Sequence, residues 1–207
     1  MQHLLHQGIG IIDQKFLLFL AQLPATPSSA RVALWRRLRG AGATSLLNGA
    51  WVLPRTDQHE AFLAQVAEKV RGQKGNAMVL VIQETRPMER ESIVARFQTD
   101  RGQEYGEFED GARAFLAEIK RETRRRKFTF AGLEEVEDDL EKLSAWLEKI
   151  RTRDFFPSGD SQGAMETLER CRVHLGPLQK RFTRARESRC RMTGRARRKS
   201  RVDDCWL

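Results

Sequence analysis

The sequence predicts an α+β fold: a small sheet domain, an α-helical extension and a basic tail. Three observations carry this. Short apolar runs alternate with helix-period segments between Lys15 and Gln83, only the helical period persists from about Pro87, and arginines displace apolar residues near the end. The expected divisions are a leader over 1–14, the sheet domain over 15–86, the helical extension over 87–183 and the tail over 184–207.

Lys15 to Leu23 reads as a strand, and its nearly unbroken apolar content suits a central position buried on both faces. A helix from about Ala30 to Arg39 follows, with Val32, Leu34, Trp35 and Leu38 at helical spacing. Gly40 and Gly42 stop it. Ser45 to Leu53 reads as a hairpin turning at Asn48-Gly49. Asp57 to Arg71 is a second helix with Phe62, Leu63, Val66 and Val70 as its stripe, and Asn76 to Gln83 is another buried strand. This order is the split βαβ pattern of a ferredoxin-like domain.

Beyond Pro87 two helices are expected, Glu89 to Asp100 and Phe108 to Lys127, around a break at Gly102 and Gly106. Then Leu133, Val136, Leu140, Leu143, Leu147 and Ile150 step by alternate threes and fours. Such a seam packs on a neighbouring helix or dimerises as a coiled coil. A last helix is expected from about Ala164 to Arg186, and the tail beyond it is expected to be disordered. Trp35 and Trp51 fall at core-compatible positions, and Trp146 lies beside the seam.

Net charge is +9 over 207 residues, but it is unevenly placed. Pro177 to Arg201 holds 11 Lys/Arg and one acid, whereas residues 1–176 hold 26 bases and 25 acids. A basic tail predicts salt-dependent, sequence-blind attraction to nucleic acid. Within the body, two groups are candidate nucleic-acid contacts: Arg31, Arg36, Arg37 and Arg39 on the first helix, and Arg124, Arg125, Arg126 and Lys127. A solvated charged face is the plain alternative for each.

The longest early apolar run, Phe16 to Ala21, is far short of the roughly 20 residues a membrane span needs, so no membrane partner is expected. Three cysteines (Cys171, Cys190, Cys205) make no disulfide framework, which suits a cytoplasmic location. His3, His6, His59 and His174 are scattered, so neither a metal nor a cofactor is expected. Asp13, Glu84 and Asp154 are isolated carboxylates, and no GxSxG or phosphate loop appears. No catalytic residue is assigned, and the chain is expected not to be an enzyme. One alternative is a metal-dependent nuclease using Asp13, by fold analogy alone. Another is a non-catalytic interaction module built on the Leu133–Ile150 seam.

Several blocks resemble a known family. Leu23-Pro24, Ser28, Arg31-Val32, Leu34 to Leu38, Gly42-Ala43, Asn48-Gly49 and Trp51 to Pro54 are similar to the N-terminal domain of ChrB, a bacterial chromate-resistance regulator. Arg101 with Tyr105, Phe128 to Leu143, and Ile150 to Phe156 with its Arg-Asp-Phe-Phe signature extend the resemblance, which covers roughly Phe16 to Phe182. It implies a ferredoxin-like domain with a helical extension. The implied role is a transcription regulator binding DNA at the promoter of a chromate efflux operon, with chromate as effector. A homodimer is a further expected state.

Overall fold

A computed structural model describes residues 15–26, 28–125 and 130–177, with side chains described outside 122–131. The elements are β1 (Phe16–Gln22), α1 (Ser28–Gly40), β2 (Thr44–Leu47), β3 (Ala50–Pro54), α2 (Asp57–Gly72), β4 (Asn76–Ile82), α3 (Pro87–Arg125) and α4 (Phe130–Thr152). A further helix, α5, covers residues 160–177. The fold is thus mixed, with five helices and one four-stranded sheet among the described residues. No described helix is long and apolar enough to cross a membrane.

Strand order is β2-β3-β1-β4, and every neighbouring pair is antiparallel. β1 is central as its composition predicts, and Phe16, Leu17 and Phe19 are buried. The β2–β3 turn falls at Asn48-Gly49, where Gly49 takes φ +80. An added Cβ there would sit 2.6 Å from the Ala21 carbonyl oxygen, so both the handedness and the space require glycine. α2 begins where the sequence places it. Thr56 caps it by accepting from the His59 N–H at 3.0 Å, with Asp57 and Glu60 in the first turn and Lys69 and Arg71 in the last.

The chain divides into two compact units. The first holds the residues up to Tyr105 and Lys149–Ser161. Alternation along its strands sorts the apolar side chains to two faces. Leu17, Phe19, Trp51 and Leu53 pack with Leu38 of α1 and with Leu63, Val66, Ala67 and Val70 of α2. On the opposite face, Phe16 and Val52 pack with Ile93 and Phe97 of α3 and with Phe156. Each Val, Leu, Ile or Phe among them, fully buried, contributes about 1.5–3 kcal/mol of transfer free energy. The second unit holds Gly106–Glu148 and the chain from Gln162 on. There Trp146 meets Phe108 edge-on at 5.8 Å between centroids, and an added Cβ on Gly111 would touch the Trp146 ring at 3.1 Å.

Four expectations are corrected. The break at Gly102 and Gly106 does not occur, and α3 runs unbroken for 39 residues. Its buried positions Phe97, Arg101, Tyr105, Phe108, Ala112, Phe115 and Ile119 continue straight through both glycines. Burial of that stripe outweighs the roughly 1 kcal/mol that each helical glycine costs. β4 is not a buried strand but one of the two outer ones, with Met78, Leu80 and Val81 exposed. Trp35 is 51% exposed rather than in the core, because Leu34 and Leu38 alone turn α1 toward the sheet. The last described helix starts at residue 160, before Ala164. Meanwhile Leu133, Val136, Leu143, Leu147 and Ile150 of the seam are buried within the chain, as a packing stripe requires. The leader and the tail lie outside the described residues.

Candidate nucleic-acid interface

The α1 arginines have four different surroundings. Arg36 is exposed. Arg37 lies over the Phe62 ring at 5.6 Å. Arg31 donates to the carbonyls of Pro24, at 2.8 Å, and Ala25, which ties the loop before α1 to the helix. Arg39 turns inward. Its Nη1 pairs with Asp100 Oδ2 at 2.8 Å and its Nη2 lies 3.7 Å from Glu104 Oε1, while its guanidinium lies 5.9 Å from the Trp35 ring centroid. Positions 32, 35, 36 and 39 share one helical face. Val32 and Trp35 are exposed on it next to Arg36. An aromatic plane beside fixed cations suits stacking and phosphate contact together.

Beneath this face is a cluster that no single stretch of sequence displays. Glu104 Oε2 accepts from Arg101 Nη1 at 2.9 Å and from Arg153 Nη2 at 3.0 Å. Thr44 Oγ1 donates to Asp100 Oδ2 at 2.7 Å. Three guanidinium groups and two carboxylates thereby join α1, β2, α3 and the segment after α4, all inside the first unit. Arg101 is only 1% exposed, and burial pulls its pKa below the ordinary arginine value. Glu104 opposes that shift, while Arg153 and Arg39 add to it. Arg101 Nε and Nη2 and Arg153 Nε have no partner among the described residues, so every remaining pairing in the cluster matters.

The Arg-Asp-Phe-Phe segment closes the other side. Tyr105 donates its hydroxyl to Asp154 Oδ2 at 2.9 Å. Phe155 meets Phe97 and His59 edge-on, and Phe156 packs on Phe16 and Phe97. Gly42, at φ +85, admits Phe155, since a Cβ there would lie 2.8 Å from its ring. Burial raises the Asp154 carboxyl pKa and lifts the Tyr105 phenol from 10.0 to about 12. For Tyr105 the folded state holds the proton more tightly than the unfolded chain. Its stabilising contribution is complete below pH 10 and is lost as pH rises toward 12. Tyr105 is the chain's single tyrosine, so phenolate absorbance reads this site alone. Titration is expected at about 12 in the folded protein and near 10 in denaturant. A folded midpoint near 10 contradicts the buried bond.

The second predicted group, Arg124 to Lys127, lies outside the residues whose side chains are described. Arg124 and Arg125 fall in the last turn of α3 with their side chains outside the described residues, as are Arg126 and Lys127 altogether. Asp13 is likewise outside. Among the described residues no group of three or more His, Cys, Asp and Glu side chains is placed to hold a metal. Sequence reasoning missed Asp100 and Glu104. Their signal was the i, i+3 spacing of Arg101 and Glu104, which many solvated helices share.

The sheet, the exposed α1 face and the clamp that the Arg39, Arg101, Arg153, Asp100 and Glu104 cluster forms beneath it define an α+β module whose exposed α1 face carries arginine and tryptophan. The chain belongs to the ChrB family: the model described as "Protein ChrB, N-terminal" matches residues 31–189. It is also similar to Protein ChrB of Cupriavidus metallidurans (strain ATCC 43123 / DSM 2839 / NBRC 102507 / CH34), with 30% identity over 151 residues. That match covers 69% of this chain and 46% of the relative, so the chain spans about half that protein's length. Two of the family blocks read from the sequence, Arg101 with Tyr105 and the Arg-Asp-Phe-Phe signature that ends Ile150 to Phe156, meet in and beside this cluster.

Proposed function

We propose that this chain is a DNA-binding transcriptional regulator of a chromate-resistance efflux operon, acting without catalysis and with chromate as its effector. Family membership supports the setting. The observation that carries the DNA contact is the exposed α1 face, where Arg36 and Trp35 stand beside Arg39 and the clamp keeps the helix in place. In this reading Arg36 and Arg37 reach the phosphates. Arg31 and Arg39 fix the loop and the helix axis, and they add to the local potential. Arg124, Arg125, Arg126 and Lys127 supply a second cationic group, and the 184–207 tail adds sequence-blind attraction. We also read the sheet unit as ferredoxin-like, a reading that the βαββαβ element order and the β2-β3-β1-β4 strand order support.

The test is binding to the DNA upstream of the chain's own operon at two salt concentrations, with random DNA of equal length beside it. Expected is a preference for the upstream DNA and a fall in affinity of about 10³-fold or more between 50 and 200 mM salt if six or more phosphates are contacted. Equal affinity for both DNAs, or no binding at low salt, overturns the regulator reading.

A further inference from the structure

The outer edge of the sheet offers a surface that DNA binding leaves unused. β4 is last in the strand order, and its seven residues, Asn76–Ile82, contain no charge and no proline. Its pairing with β1 runs without a register shift. Exposed edges are usually blunted by lysine, proline or a bulge; β4 itself has none of them, and Arg71 reaches its edge at the Ala77 carbonyl. Met78 is 53% exposed, Leu80 42% and Val81 40%.

The ladder fixes which backbone groups face outward. The Ala21 N–H donates to the Gly49 carbonyl at 2.8 Å, so Ala21 turns toward the β3 side. In the β1–β4 register Ala21 stands opposite Ala77. Facing residues of an antiparallel pair either exchange both bonds or both turn away. Ala77 therefore directs its N–H and C=O away from β1, and the period of two makes Val79 and Val81 do the same. The Ala77 carbonyl accepts from Arg71 Nη2 at 3.0 Å, which fits this direction.

We propose that a second copy of this chain adds to this edge, β4 against β4, antiparallel about a two-fold axis at Val79. This register sets Val79 opposite its own copy and Ala77 opposite Val81 of the second copy. All three outward residues are then matched, with the Ala77 carbonyl shared between Arg71 and the Val81 N–H of the second copy, whereas any other register leaves at least one unpaired. Met78 stands opposite Leu80 of the second copy, which joins their exposed side chains. Just beyond the strand, the turn that holds Lys74 at φ +59 lies at the same end of the contact as Glu84 of the second copy, and the symmetry repeats that pair at the other end. Both residues are exposed. An uncharged strand with ends of opposite sign is thus complementary to itself, which selects a second copy over an unrelated strand. The contact is isologous and closes at two copies.

Sedimentation equilibrium of the full chain, without DNA, tests this. Wild type is expected to dimerise reversibly. Lys74→Glu or Glu84→Lys alone replaces two attractive pairs with repulsive ones and should weaken association about tenfold at low salt. The double variant Lys74→Glu/Glu84→Lys should restore it. The Val79 and Val81 amides should gain hydrogen-exchange protection as concentration rises. A chain that stays monomeric overturns the proposal, and so do single variants that associate like wild type or a double variant that fails to recover. None of these readouts depends on DNA binding.

Discussion

Glu104→Ala is expected to destabilise the first unit by about 3–5 kcal/mol, the effect of stripping a counter-ion from a buried cation. Glu104 is the acceptor that Arg101 and Arg153 share, and it also faces Arg39. Arg101 has almost no access to solvent, so water cannot replace the lost carboxylate. The companion variant Arg101→Met removes the desolvated charge itself and leaves Glu104 paired with Arg153. It should cost clearly less than Glu104→Ala. Denaturant midpoints of the two variants check the order. Equal losses would mean that Arg101 acts through packing rather than charge.

Arg36→Glu carries the second large effect, on binding rather than on stability. Arg36 is exposed, so reversing it should leave the unfolding midpoint near wild type. Affinity for the upstream DNA should fall roughly tenfold to a hundredfold at low salt, and the salt slope should become shallower by about one unit. Arg39→Ala should behave differently. It breaks the pair with Asp100 and loosens α1, so stability and binding should fall together. Separating the two outcomes distinguishes a residue that touches DNA from one that positions the helix.

What could be read in the sequence follows from how local each signal is. β1, the Asn48-Gly49 turn and α2 were legible because an apolar run, an Asn-Gly pair and the Phe62, Leu63, Val66 and Val70 stripe are each written in neighbouring residues. The edge position of β4 was not. β1 and β4 are equally apolar runs, and only pairing decides that β1 has two neighbours and β4 one. Trp35 shares helical spacing with Leu34 and Leu38, yet only those two pack on the sheet. Two glycines suggested a break in α3 because a local penalty of about 1 kcal/mol each is visible in sequence, whereas the burial that outweighs it is not. The site shows the same limit. Its arginines were visible as residues, but Arg39 and Arg153 meet Glu104 across long stretches of chain. The total charge of +9 says nothing about that arrangement.

In the proposed function, specific DNA binding belongs to the folded body and not to the basic tail. It is tested most directly by the ratio of affinities for upstream and random DNA, measured at one salt concentration for wild type and for Arg36→Glu. The proposed tail contact serves both DNAs alike, so it should persist in the variant. Arg36 is proposed to reach its phosphate only in the register that the specific complex fixes, so that complex alone should lose the α1 contact. The ratio is therefore expected to fall toward one while weak, sequence-blind binding remains. An unchanged ratio in a folded Arg36→Glu chain would contradict the account.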